Sequence, residues 1–109
     1  MHELSIAEAI VEACAERADG ARVQRVRLEI GKLAGVVPDS IRFCFEVCVR
    51  DTPLDGAELE IVEIAGRGVC RTCHGVIELE TLLGSCACGS TSFDIVTGEE
   101  LRVKDMELA

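Results

Sequence analysis

Aromatic residues, basic residues and long apolar runs are all scarce in this chain of 109 residues. It has three Phe and neither Trp nor Tyr, so a hydrophobic core has to be built mainly from aliphatic side chains. Eleven Lys and Arg stand against twenty Asp and Glu, and a net charge of −9 would repel a phosphate backbone. No apolar run approaches the roughly 18–20 residues that a membrane-spanning helix needs. We therefore expect neither nucleic acid nor membrane as a partner.

The beginning of the chain also lacks the basic segment of a secretory signal, since it carries Glu3, Glu8 and Glu12 instead. This predicts a cytoplasmic protein. In a reducing compartment the seven cysteines, an odd number, are not expected to form a disulfide framework. They are expected to bind metal, to perform redox chemistry or to pack in a core. Hydrophobic residues make up 49% of the chain, enough for one domain with a small appendage.

Hydrophobic periodicity predicts an α+β fold, with a small sheet of about three strands and two helices on one face. Ser5 and Glu8 have the spacing of a capping box at the first helix, and Asp39 or Ser40 is the expected N-cap of the second. A Cys-rich, zinc-ribbon-like lobe is inserted before the last strand. The predicted elements are a helix over 4–18, a strand over 23–30, a helix over 40–49, a strand over 57–64, and strand pieces near 93–96 and 100–103.

The inserted lobe contains two close cysteine pairs, Cys70 with Cys73 and Cys86 with Cys88. Two such pairs separated by a hairpin are typical of a zinc ribbon, in which four thiolates surround Zn²⁺ at about 2.3 Å. The lobe is too short to build its own core, and zinc binding is worth on the order of 10–16 kcal/mol in such modules. We predict a structural Zn(II) site formed by these four cysteines.

The second pair departs from the usual spacing, because Ser85 stands where the first thiol of a CxxC would be. Cys86 is expected to replace that thiol, with a tighter bite. His74 is an alternative nitrogen ligand, although an exposed turn residue is the favoured interpretation. An iron–tetrathiolate protein uses the same four ligands and stays an alternative, but such proteins usually bury the site with aromatics, which are scarce here. A thioredoxin-like redox CxxC is disfavoured, because it would need one cysteine pair on a βαβ scaffold, whereas this insert carries two pairs.

The three remaining cysteines are predicted to be small core residues. Cys14 lies on the apolar face of the first predicted helix. Cys44 and Cys48 are four residues apart on the second and could in principle pinch a metal. Their neighbours Ile41, Phe43, Phe45 and Val47 are apolar, which favours burial instead.

The first three residues, Met1, His2 and Glu3, form a candidate second metal site. A bulky His at position 2 should hinder removal of Met1, and the α-amine has a pKa of about 7.7–8.0, low enough for a metal to displace its proton. The amine, the His2 amide and the imidazole would form fused chelate rings in one plane, and Glu3 could add an oxygen. Such a planar set suits Ni(II) or Cu(II).

Several stretches together resemble the HypA/HybF hydrogenase nickel-incorporation family over essentially the whole chain. They are MHELSIAEAIVE, GVVPDSIRFCFEVCVRDTPLDGAELEI, the CRTC lobe, CGSTSFDIVTGEELRV and KDMEL. The resemblance implies a nickel metallochaperone for [NiFe]-hydrogenase maturation rather than an enzyme. It implies transient Ni(II) at Met1, His2 and Glu3, with Asp39 as a further ligand or neighbour, and zinc at the four lobe cysteines.

The resemblance also implies a domain division and partners. The nickel-binding α/β domain would comprise 1–66 and 94–109, and the zinc-binding domain 67–93. Expected partners are a HypB-type GTPase, the [NiFe]-hydrogenase large subunit and, for some members, urease maturation proteins. The chain itself is expected to be a monomer or a weak homodimer. The alternative function is a zinc-ribbon adaptor that binds other proteins and has no nickel site.

Overall fold

The computed structural model describes residues 2–109, so the predicted ligand Met1 lies outside the described residues. Two helices and six strands follow one another along the chain. They are α1 (Glu3–Ala18), β1 (Val23–Gly31), α2 (Pro38–Cys48), β2 (Glu58–Ile64), β3 (Gly66–Cys70), β4 (Val76–Leu79), β5 (Phe93–Thr97) and β6 (Leu101–Leu108). The predicted α+β class is confirmed. Within the described residues, neither helix is long and apolar enough to cross a membrane.

Helix α1 buries one stripe of small and aliphatic side chains at spacings of three and four residues. The buried residues are Ala7, Val11, Cys14 and Ala18. The predicted capping box was wrong: the helix begins at Glu3, so Ser5 and Glu8 both lie inside it, and His2 is the N-cap without a side-chain hydrogen bond. The helix ends where Asp19 adopts a left-handed conformation, with φ of 48°.

Helix α2 begins with proline, which has no backbone N–H to leave unpaired in a first turn. Val37, in an extended conformation, is the N-cap, and it makes no side-chain capping bond. The predicted cap at Asp39 or Ser40 was therefore wrong, since the helix starts at the proline and its N-cap lies two or three residues earlier. Asp39 instead lies in the first turn, where a carboxylate interacts favourably with the helix dipole. Ile41 and Phe45 are the buried residues of this helix.

The strands form two separate three-stranded sheets. One has the order β2-β1-β6, and its central strand β1 shows the predicted alternation, with Val26, Leu28 and Ile30 buried. The other has the order β4-β3-β5, with β3 antiparallel to both neighbours. The sequence patterns did not predict β3 as a strand, because glycine occupies two of its five positions.

The chain divides into two compact units. Unit 1 comprises 1–28, 36–62 and 102–109, and unit 2 comprises 29–35 and 63–101. The core of unit 1 contains both helices and part of β1, and α1 packs against α2. Unit 2 contains the β4-β3-β5 sheet and all four lobe cysteines. This division is one of compactness, and the assignment of 67–93 as a zinc-binding domain stays a prediction.

Candidate metal centres

The β3–β4 hairpin positions the first cysteine pair. Cys70 is the last residue of β3 and is fully buried, and its N–H donates to the Gly75 carbonyl at 2.9 Å. The His74 N–H donates to the Cys70 carbonyl, also at 2.9 Å, and His74 has a left-handed φ of 63°. The turn therefore folds back on itself and brings the exposed Cys73 to the same end of the hairpin as Cys70.

A second tight turn positions the other pair. The Cys86 N–H donates to the Ser90 carbonyl at 2.8 Å, and the Gly89 N–H donates to the Cys86 carbonyl at 2.9 Å. Gly89 has a φ of 93°, which a residue with a side chain rarely adopts, so glycine suits this turn. The turn lets Cys86 and Cys88 both contribute their sulfurs to one cluster although only one residue separates them.

These two turns bring the four lobe sulfurs into one cluster, all within 4.8 Å of one another. Cys70 Sγ lies 3.6 Å from Cys88 Sγ, and Cys73 Sγ lies 3.6 Å from Cys86 Sγ. In a tetrahedron with metal–sulfur bonds near 2.3 Å, the sulfurs are about 3.8 Å apart. The donor set and its spacing therefore fit a tetrahedral thiophilic cation such as Zn²⁺.

The cluster contains the four predicted cysteines and neither of the alternatives. Ser85 and His74 are both exposed, and neither belongs to the cluster. Cys86, rather than the residue at the usual spacing, supplies the fourth sulfur. Among residues 2–109, this is the one group of three or more Cys, His, Asp or Glu side chains that meets the geometry of a metal site.

Hydrogen bonds within the cluster shift the pKa values of Cys70 and Cys88 in opposite directions. The Cys73 backbone N–H, 3.5 Å from Cys70 Sγ, is the main cause that lowers the pKa of Cys70 to about 6, against the effect of burial. At Cys88 the Ser90 backbone lowers the pKa, but hydrogen bonds with Cys70 and Cys86 and desolvation outweigh it, so the pKa rises to about 11. Full deprotonation would place several like charges together, and a bound divalent cation would neutralise them.

A second candidate centre lies where the N-termini of the two helices line one open cleft. His2 and Glu3 from α1 and Asp39 and Cys44 from α2 are among the residues that line this cleft of about 700 Å³. His2 and Asp39 are exposed, and Glu3 is half-buried. Asp39 lies in the first turn of α2, because this helix starts at Pro38. Its carboxylate is therefore at the same end of unit 1 as the His2 imidazole and the Glu3 carboxylate. We refer to this as the N-terminal cleft.

The three cysteines outside the lobe differ in burial. Cys14 is buried as predicted, and burial raises the pKa of its thiol. Cys44 and Cys48 are only half-buried, and their neighbours Phe43 and Val47 are exposed, so the predicted burial was wrong at these four positions and right at Ile41 and Phe45. The reason is that only positions 41 and 45 of α2 point into the core. Cys44 lies one helical turn after Ser40, and both residues line the N-terminal cleft. The four-residue spacing could therefore have predicted that Cys44 lies beside the cleft.

The whole chain matches a known family. Residues 1–108 match the family described as "Hydrogenase/urease nickel incorporation, metallochaperone, hypA". The chain belongs to the HypA family. It is 54% identical over 108 residues to the hydrogenase maturation factor HypA of Nostoc punctiforme, covering 99% of this chain and 96% of that protein. It is 51% identical over 109 residues to that of Geotalea uraniireducens, covering 99% of each.

Solved structures of the HypA family have the same fold. The solution structure of the Ni metallochaperone HypA from Helicobacter pylori superposes with a TM-score of 0.70 at 26% identity, covering 99% of this chain and 97% of that one. The family resemblance drawn from the sequence is thereby confirmed, as are its general descriptions: hydrogenase maturation, nickel metallochaperone and a four-cysteine cluster that could bind zinc.

Proposed function

We propose that this chain binds Ni(II) transiently at Met1, His2 and Glu3 and delivers it for the maturation of a [NiFe]-hydrogenase. The observation that carries the proposal is the N-terminal cleft, which is lined by His2 and Glu3 together with Asp39. An imidazole and carboxylates in one cleft are ligands that a borderline cation such as Ni(II) accepts. Membership of a nickel-incorporation family supports the same assignment.

The proposed site suits a cargo that has to be released. His2 and Asp39 are exposed, and the cleft is open, so an acceptor protein can reach the metal and exchange ligands with it. Binding requires the proposed α-amine of Met1 and the imidazole of His2 to be deprotonated, which makes loading dependent on pH. Asp39 adds negative charge close to the cation, and in this proposal it is a further oxygen ligand or an electrostatic neighbour.

We further propose that the four lobe cysteines hold Zn(II) as a structural ion. When bound, zinc would supply the cross-link that unit 2 needs, since only a small number of side chains are buried there. Its buried donors are Cys70 and Cys86, and Cys73 and Cys88 close the site from the solvent side. Four thiolates complete the tetrahedron, so this ion has no open position for a substrate.

The proposed setting is the cytoplasm, with a HypB-type GTPase and the hydrogenase large subunit as partners and urease maturation proteins as a further destination for nickel. Proteins described as hydrogenase maturation factors are close relatives, which supports this set of partners. We propose a delivery function without a catalytic step.

The test is nickel titration of the zinc-loaded, untagged chain by calorimetry or competition with a chelator. His2→Ala should remove most of the nickel affinity, and a few residues added before Met1 should do the same by displacing the α-amine. The chain offers a matched control in its second histidine: His74→Ala, at an exposed position in the lobe turn, should bind nickel like the unaltered protein.

The outcomes separate the proposed function from its alternative. Nickel affinity that survives both His2→Ala and the extension would refute the N-terminal site. One zinc and no nickel per chain after loading would favour the zinc-ribbon adaptor. A graded loss in Asp39→Asn, smaller than that in His2→Ala, would assign Asp39 to the site.

A further inference from the structure

Two thiols on α2 lie on one helix face and outside the lobe. Cys44 and Cys48 are separated by four residues within the helix, so their Cβ atoms are about 5–6 Å apart. A cation held by two thiolates with bonds near 2.3 Å spans up to about 4.6 Å between the sulfurs. The separation of the two Cβ atoms is therefore compatible with one cation held by both thiolates on this face of α2.

Both thiols can be reached from solvent. Each is half-buried, and each lines an open cleft on unit 1. Cys44 lines the N-terminal cleft, and Cys48 lines a second cleft of about 550 Å³ together with Glu8 and Glu12. The carboxylates beside both clefts favour the approach of a cation.

The ligand types narrow the choice of ion. Soft thiolates favour Cu(I), whereas zinc requires four ligands in a structural site. Within residues 2–109, no third Cys, His, Asp or Glu completes a cluster with these two thiols. A pair of thiolates without further ligands suits an ion that is satisfied by low coordination numbers.

We propose that Cys44 and Cys48 form a two-thiolate binding site for a soft monovalent cation of the Cu(I) class. Binding forms two metal–sulfur bonds and releases the two thiol protons to solvent, and the oxidation state of the ion does not change. The site is independent of the proposed nickel function, because its ligands are different residues, although it borders the same cleft.

The experiment is a Cu(I) titration of the full-length, zinc-loaded protein under anaerobic conditions against a chromophoric Cu(I) chelator. A zinc indicator reports any displacement of zinc from the lobe. We expect the unaltered chain to take up one Cu(I) more than Cys44→Ala/Cys48→Ala before zinc appears in solution. Cys14→Ala is the matched control and should keep the additional Cu(I), since it removes a cysteine of unit 1 that is not in the pair. Equal uptake by the unaltered chain and the double variant would overturn the proposal.

A second measurement needs no substitution and therefore does not depend on folding of the variant. The unaltered protein with one Cu(I) added is alkylated at its free thiols, digested and analysed by mass spectrometry. Protection of Cys44 and Cys48 together, with zinc retained, supports the site. Protection confined to the lobe cysteines, or accompanied by zinc release, contradicts it.

Discussion

The two compact units of this chain bury different kinds of side chain. Unit 1 has a conventional apolar core, in which Phe45, Leu28, Ile41 and Leu54 are almost completely inaccessible to solvent. Among the hydrophobic residues of unit 2, Ile30, Leu33, Leu79, Cys70 and Cys86 are buried, so two of these five belong to the sulfur cluster. Burial of hydrophobic surface stabilises unit 1, whereas the metal proposed for the cysteine cluster would supply a cross-link to unit 2.

Close glycine packing is the other difference. In unit 2, a Cβ on Gly98 would lie 2.5 Å from the Gly66 Cα, and Gly98 has a φ of 110°. A Cβ on Gly31 would overlap the Gly98 carbonyl. These segments approach so closely that side chains are excluded, and backbone contacts take the place of a larger apolar core.

Removal of zinc should have the largest effect and should separate the two units. Because zinc binding in comparable modules is worth on the order of 10–16 kcal/mol, a strong chelator should unfold much of unit 2. Amide hydrogen exchange should then show loss of protection in β3, β4 and β5 and retained protection in α1 and α2. Simultaneous loss of protection in both units would show that zinc stabilises the whole chain rather than the lobe.

Two buried cysteines provide the matched variants for this experiment. Cys70→Ser should reproduce the effect of the chelator, because it removes a proposed zinc ligand. Cys14→Ser alters an equally inaccessible thiol in unit 1 and should leave the zinc content at one per chain. Zinc retained at full affinity by Cys70→Ser would exclude that thiol as a ligand.

The converse variant weakens unit 1 and spares the metal cluster. Phe45 is 2% exposed, so Phe45→Ala should lower the free energy of unfolding by about 3–5 kcal/mol in a urea titration. Its neighbour on the other face of α2, Phe43, is 68% exposed, and Phe43→Ala should change it by about 0.5 kcal/mol or less. Zinc content should be unchanged in both. Equal effects of the two substitutions would contradict the orientation of α2.

The same contrast explains what the sequence could predict. Helix α1 and strand β1 follow regular periodicities, and the structure has them within a residue of the predicted bounds. The glycine-rich strand β3 has no such pattern, because its position depends on pairing with β4 and β5. The cysteine spacing nevertheless identified all members of the sulfur cluster, since that pattern depends on ligand chemistry rather than on apolar periodicity.

The N-terminal cleft was less predictable. The first residues pointed to a metal site through their own chemistry, but the approach of Asp39 depends on where α2 begins. The expected polar N-cap was wrong because Pro38 starts the helix, and Phe43 and Val47 are exposed because the core-facing side of α2 carries Ile41 and Phe45. A hydrophobic stretch alone cannot tell which of its residues face the core when the helix is short and only two positions are buried.

Substitution within the second cysteine pair should have the next largest effect, a loss of zinc affinity. It tests whether Cys86 rather than Ser85 occupies the fourth position of the cluster. Cys86→Ser should lower the zinc affinity by more than about 100-fold. Substitution of residues that only hydrogen-bond to metal ligands lowers metal affinity by about 10–100-fold, and loss of a proposed direct ligand should lower it further. Ser85→Ala is the adjacent control and should leave zinc affinity unchanged, since Ser85 is exposed and outside the cluster. Competition with a zinc chelator measures both. A large loss in Ser85→Ala would assign it a role in the site that the geometry does not indicate.

The change in zinc affinity over a single pH unit should be smaller than these effects, and it should also be confined to unit 2. With pKa values of about 6 at Cys70 and about 11 at Cys88, the first thiol is already ionised at neutral pH and the second is not. Zinc binding must therefore release at least the Cys88 proton throughout that interval, so the affinity rises with pH by at least about tenfold per unit. Below the pKa of Cys70 a further proton competes with zinc, and the dependence becomes steeper. Chelator competition at several pH values measures the slope, and an affinity that is independent of pH between the two pKa values would contradict this assignment of charge.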